Sequence, residues 1–93
     1  MPHWLLSIER RVPPDRSELY NRLWQRLLRQ AQAAGLHAWR FRSAGREDQF
    51  LEFLESADAP SLDDPAVMAT LKRMDQDISA AVGRRWEEVT SEE

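Results

Sequence analysis

His37 and Trp39 stand two residues apart in "GLHAWRF", so on an extended strand an imidazole and an indole share one face. Such a pair has a chemical use. An imidazole can take up a proton near neutral pH, and an indole offers a flat apolar wall against which a planar acid can rest. Tyr20 and Trp24, four residues apart upstream, would extend that wall, and Phe41 and Phe53 could line the same pocket. The plainer alternative is equally concrete. His37 is then a strand-end histidine bonded to backbone or to Glu55, and the aromatic rings simply fill a core. His3 has the same two roles open to it, a base or a solvent-touching interface residue.

Other chemistries are removed by what the chain lacks. With no cysteine it has no disulfide, thiolate zinc site or cysteine nucleophile. Two separated histidines do not make a metal motif, and Asp58, Asp63 and Asp64 lack the glycine-containing spacing of a calcium loop. No phosphate loop, nucleophile elbow or dinucleotide fingerprint is present. We therefore expect neither a metal nor a cofactor. Arg10–Arg11, Arg40 with Arg42, and Arg84–Arg85 could mark an RNA surface, but the net charge of −3 slightly repels a polyanion. Base stacking on a sheet also needs aromatic side chains on its open face, and the strand pairing derived below points them the other way. No nucleic-acid partner is expected.

The elements that must position these side chains follow from the patterning. Ninety-three residues, 42% of them hydrophobic, suit one domain over residues 1–93. The longest apolar stretch near the N-terminus, Trp4 to Leu6, is far too short for a secretion signal or a membrane span. A cytoplasmic protein without a membrane partner is the expectation. "HWLLSIERRV" (3–12) alternates as a strand, with Trp4, Leu6 and Ile8 on one face, and Pro13–Pro14 stop it. Asp15 with Glu18 predicts a helix start. Leu19, Tyr20, Leu23, Trp24, Leu27, Leu28 and Ala31 form its buried stripe, and Gly35 ends it. A hairpin around "SAGRED" follows, then the polar loop 57–64. The second helix is capped by Asp63 or Asp64 with Pro65 in its first turn, buries Val67, Leu71, Met74, Ile78 and Val82, and closes at Gly83. "RRWEEV" (84–89) reads as a last strand and "TSEE" as a solvated tail.

The order βαββαβ predicts an α+β, ferredoxin-like fold: a four-stranded antiparallel sheet with two helices on one face. Within the hairpin, placing Trp39 opposite Phe53, Phe41 opposite Leu51 and Arg40 opposite Glu52 gathers aromatic residues on one side and opposite charges on the other. Cross-strand pairs of these kinds contribute about 0.2–1 kcal/mol each, which favours this register over its one-residue slip. The aromatic side is expected beneath the helices with Trp4, Leu6 and Ile8. The other side, carrying Leu5, Arg40, Phe50, Glu52 and Leu54, is too apolar for water and is expected to be a dimer interface.

With these elements in place, "GLHAWRF", "QFLEFLESADA" and "DDPAVMATLKRM" resemble the antibiotic-biosynthesis-monooxygenase group of dimeric α+β barrel proteins, over roughly residues 3–89. The histidine ahead of the first strand in "MPHWLLSI" is similar to the stress-responsive dimeric barrel group. The resemblance implies a homodimer whose sheets close into a barrel, with ligand pockets between helices and sheet. It also implies cofactor-independent monooxygenase-like chemistry on a small aromatic or polyketide-like compound, or a non-catalytic member that binds a ligand or partner. His37 would then be the catalytic residue, with Tyr20, Trp24, Trp39, Phe41 and Phe53 lining the pocket. Haem-degrading members use an Asn, Trp and His set. The only asparagine here, Asn21, lies off the apolar stripe, which argues against that activity.

Overall fold

The computed structural model describes residues 3–89, so the tail expected at 90–93 lies outside the described residues. Strand β1 (Trp4–Arg11) leads through a short 3₁₀ turn, Pro14–Arg16, into helix α1 (Ser17–Ala33). Strands β2 (His37–Arg42) and β3 (Gln49–Ser56) form the hairpin. A second 3₁₀ turn, Pro60–Asp63, precedes helix α2 (Pro65–Asp77), and strand β4 (Val82–Glu87) follows. The sheet order is β2-β3-β1-β4, every pair antiparallel, giving the expected ferredoxin-like α+β arrangement.

The local signals act where chain geometry demands them. Gly35 takes φ 77°, the left-handed conformation that releases the chain from α1 into β2. The Asp64 side chain accepts from the Val67 N–H at 3.2 Å, capping α2 with Pro65 in the first turn. Two boundaries differ from expectation. Asp15 is taken into the 3₁₀ turn by Pro14, and α1 begins at Ser17 without a side-chain cap. Helix α2 stops at Asp77, with Ile78 as its buried C-cap, so neither Val82 nor Gly83 belongs to it. Both join β4, where Gly83 lies opposite Ile8 and Val82 opposite Glu9.

The hairpin register is the favoured one: Trp39 faces Phe53, Arg40 faces Glu52 and Phe41 faces Leu51. Its orientation on the sheet is the reverse of the expected one. Leu6 pairs with Leu54 and Ile8 with Glu52, so Leu54 and Glu52 share the face of Leu6 and Ile8 beneath the helices. Leu6, Ile8 and Leu54 share one core with Leu23 and Leu27 of α1 and Val67 and Met74 of α2, all buried. Trp39, Phe41 and Phe53 therefore lie on the open face, as do Leu5 and Trp86. The alternation was right and the face was wrong, because hydrophobicity alone favours Trp39 over Glu52 as the inward residue.

What draws Glu52 inward is Arg10, a strand residue in phase with Leu6 and Ile8. Both side chains are only 1% exposed. Arg10 Nε donates to the two Glu52 carboxylate oxygens at 3.3 and 3.2 Å, and Tyr20 Oη donates to Glu52 Oε2 at 2.6 Å. Arg10 Nη1 donates onward to Asp75 Oδ1 at 2.9 Å and to the Ser79 carbonyl at 2.7 Å, tying α2 and its exit to β1. Burial raises the Glu52 pKa above the ordinary carboxylate range. The Arg10 charge, the Tyr20 hydroxyl and Arg40 pull it part of the way back. The Tyr20 phenol is raised as well, first by burial and then by the Glu52 charge.

Removing this carboxylate should act on the fold itself. Glu52→Ala leaves the Arg10 guanidinium buried without its main counter-charge and is expected to cost about 3–5 kcal/mol in chemical denaturation. A loss within about 0.5 kcal/mol, the size of a surface change, would contradict the network. The pH dependence has a definite sign. With its folded pKa raised, Glu52 contributes its full share of stability below the unfolded value of about 4.3, and that share declines as pH rises through the folded value. Glu52→Gln cannot ionise, so thermal melts across that window should show a flatter profile than the wild type.

Candidate functional site

Strand β2 sends Ala38, Arg40 and Arg42 towards the helices, while α1 presents Tyr20 and Trp24 one turn apart on its sheet-facing side. The Arg40 guanidinium lies 5.2 Å from the ring centres of both Tyr20 and Trp24, and 5.7 Å from that of Phe50. Tyr20 and Phe50 are themselves 5.0 Å apart, tilted by 55°. A guanidinium over an aromatic face gains roughly 0.5–2 kcal/mol depending on desolvation, and here three rings hold it. Arg40 Nη1 donates to Asn21 Oδ1 at 3.1 Å, which fixes its direction.

This cation borders a cleft of about 420 Å³ between the first turns of α1 and the turn end of the hairpin. Tyr20 and Asn21 form the helix side; Arg40, Arg42 and Phe50 form the sheet side. Glu47 and Asp48 stand at the hairpin end. Arg11 engages Asp48 at 2.9 Å and holds its carboxyl below the usual aspartate range, so that carboxylate already has a counter-ion. Arg40 presents a planar guanidinium cation whose N–H groups only donate. An aromatic box around a directed cation suits a planar molecule bearing an anionic oxygen, with the ring against Phe50 and the oxygen at the guanidinium.

The residues expected to form the site divide between the two faces. Tyr20, Trp24, Arg40, Phe50, Glu52 and Leu54 are on the helix side, and Tyr20, Trp24, Glu52 and Leu54 are buried. Glu52 and Leu54, expected at a dimer interface, are covered by this chain's own helices. Arg40 and Glu52 are cross-strand neighbours as expected, yet Glu52 is bonded by Arg10 and Tyr20, and Arg40 by Asn21. Trp39, Phe41 and Phe53 are on the open side. There Trp39 stacks on Phe53 at 5.1 Å and Phe41 meets Phe53 edge-on at 6.0 Å. A pocket under α1 walled by both Trp24 and Trp39 is therefore ruled out, because the sheet separates them.

His37 follows Trp39. Its exposed ring sits 4.7 Å from that indole on the open face, remote from the α1 cleft. Near it, His3 Nδ1 is 3.8 Å from Glu55 Oε2, and a hollow of about 260 Å³ is lined by His3, Trp39, Glu55 and Trp86. Leu5 also lines that hollow. Phe41, Val82 and Trp86 are each at least half exposed, at 58%, 54% and 50%. The open face thus carries the aromatic side chains whose expected burial had counted against nucleic-acid binding; the chain's acidity remains on the other side of the balance. Among the described residues no cluster of three His, Cys, Asp or Glu is placed to hold a metal, and no helix is long and apolar enough to cross a membrane.

Arg10 was missed as a site-forming residue, although its signal was present: it stands two residues after Ile8 and four after Leu6, in phase with the buried face. Asn21 was set aside for lying off the apolar stripe. It is exposed for that reason, and from there it reaches Arg40 at the cleft.

No protein-family model matches the chain, and no curated protein matches it in sequence. Solved structures do match in shape. A conserved protein from Methanosarcina mazei superposes with a TM-score of 0.79 at 12% identity, covering 92% of each chain. A candidate antibiotic biosynthesis monooxygenase from Nitrosomonas europaea gives 0.77 at 9% identity, over 96% of this chain and 92% of the other. SnoaB, a cofactor-independent oxygenase from Streptomyces nogalater, gives 0.70 at 8% identity, over 96% and 93%. The chain therefore has the α+β fold of the antibiotic-biosynthesis-monooxygenase-like proteins.

Proposed function

We propose that this protein binds a small planar aromatic compound with an acidic oxygen in the α1 cleft, as a cofactor-independent monooxygenase-like protein. The observation that carries the proposal is Arg40, held by three aromatic rings and directed by Asn21 at the edge of a 420 Å³ cleft. A guanidinium fixed in this way needs no reorganisation to receive a phenolate or enolate. SnoaB, which shares the fold, is a cofactor-independent oxygenase, and this lends support to an oxygenase-like role. In its enzymatic form, the bound anion would supply the electrons to dioxygen, one oxygen atom entering the product and the other leaving as water. His37 takes no part in this scheme, since it lies across the sheet from the cleft.

The second element of the proposal is a homodimer through the open sheet face. Contiguous exposed apolar patches are uncommon on monomers, and here Leu5, Trp39, Phe41, Phe53, Val82 and Trp86 share one side of one sheet. A second copy would cover them and close the two sheets into a barrel. This surface favours one alternative function, a non-catalytic dimeric module whose chemistry is partner binding alone.

Titration with a planar phenol should quench the fluorescence of Trp24, which is stacked with Arg40 beside the cleft. Arg40→Ala should weaken that binding at least tenfold, because a charge-assisted hydrogen bond contributes about 1.5–3 kcal/mol. Equal affinity in the variant would defeat the cleft assignment, and oxygen-electrode traces with the same phenols separate an oxygenase from a binder. For assembly, light scattering at micromolar concentration should return twice the chain mass. Phe53→Glu, which puts a charge in the middle of the aromatic face, should return a folded monomer; a wild-type monomer would remove the dimer.

A further inference from the structure

We infer that Glu52, acting through the Tyr20 hydroxyl, receives the proton that an acidic phenol gives up on entering the α1 cleft. The inference rests on the cleft being a ligand site and goes on to assign its base. Tyr20 is the one side chain that both lines the cleft and is bonded to the buried carboxylate, its Oη donating to Glu52 Oε2 at 2.6 Å. Across the Tyr20 ring lies Arg40, the cation that would hold the ligand oxygen. Tyr20, itself buried at the wall of the cleft, is therefore the link by which a proton passes from the cleft to Glu52, while the anion left behind stays beside Arg40.

The exchange balances. The ligand O–H bond breaks and a new O–H bond forms on Tyr20 Oη. The proton Tyr20 held passes to Glu52 Oε2, so the tyrosine is neutral before and after. One negative charge leaves Glu52 and appears on the ligand, and the net charge of the site is unchanged. No electron moves, and no co-reactant is needed.

Charged and titratable groups face Glu52 from every element around it. Arg10 comes from β1, Tyr20 from α1 and Arg40 from β2, and Asp75 of α2 acts at one remove through Arg10. Burial is the largest influence on the carboxylate and favours its protonated form. Arg10, the Tyr20 hydroxyl and Arg40 favour the charged form and offset burial only in part. These surroundings also select the ligand. An ordinary phenol and a glutamate differ by roughly six pKa units, too large a gap for the transfer. A phenol acidified by a conjugated carbonyl or nitro group narrows that gap, and Arg40 narrows it further by stabilising the phenolate.

The probe is para-nitrophenol, whose phenolate has its own visible absorption, used at a pH below its solution pKa. On wild-type protein, the bound probe should show the phenolate band. Calorimetry in two buffers of different ionisation enthalpy should show no net proton released to solvent. Tyr20→Phe keeps the ring and the Arg10–Glu52 pair but breaks the relay. It should still quench tryptophan fluorescence with the probe, while the ratio of bound phenolate to phenol falls about tenfold, equivalent to one pKa unit. Glu52→Gln should release a proton to the buffer for each phenolate formed; should that variant fail to fold, Tyr20→Phe decides alone. Binding with the same phenolate ratio in Tyr20→Phe as in wild type overturns the relay and leaves the cleft assignment standing. Failure of the wild type to bind overturns both.

Discussion

Glu52 is a carboxylate on the wrong side of a sheet by any count of hydrophobicity, and much of the molecule is arranged around keeping it there. Moving a charge out of water costs several kcal/mol even after relaxation, and only close partners offset it. Arg10 from β1 meets both its oxygens and Tyr20 from α1 meets one, while Arg10 continues to Asp75 and Ser79 at the end of α2. One buried side chain thus joins two strands, and its partners reach both helices. Rolling the hairpin over would bury more aromatic surface, but it would leave Arg10 in the core without this carboxylate. A hydrophobic gain of a few kcal/mol per aromatic ring is set against an unpaired buried guanidinium, a cost of about 3–5 kcal/mol.

That choice of face decides the chemistry of both surfaces. With Glu52 inward, its cross-strand neighbour Arg40 is inward too, and it arrives over Tyr20, Trp24 and Phe50 at the edge of a cleft. With Trp39, Phe41 and Phe53 outward, the far side of the sheet becomes an aromatic surface. The cleft has a cation, hydrogen-bonding groups and an aromatic wall, as expected of a site for a small acid. The open face has flat rings with Glu9, Glu55 and Arg84 among them, a mixture suited to a surface that meets another protein. The two are separated by the thickness of one sheet.

The shared fold does not itself distinguish an enzyme from a binding module, since one scaffold supports many functions and the site has to be argued from its own residues. At identities of 8–12% to the M. mazei, N. europaea and S. nogalater proteins, what is common is the path of the backbone. The Arg40 box and the Glu52–Tyr20 contact come from this chain's own side chains.

Strand and helix positions were legible because their signals are local. Strand alternation, the i, i+4 stripe from Leu19 to Ala31, Gly35 and the Asp64–Pro65 cap each act within a few residues, and together they specify a βαββαβ order. The hairpin register was legible as well, since it depends on two adjacent strands joined by a short loop. Which side of that hairpin faces the helices was not, and most of the functional assignment followed from it. The answer depends on Arg10, forty-two residues before Glu52 in sequence, and on Tyr20, thirty-two before it. Periodicity records only that two faces differ. It ranks them by hydrophobicity, so it sent Trp39 inward and placed His37 with it. A buried charge is stabilised by partners from other elements, and their meeting exists only once the chain has folded.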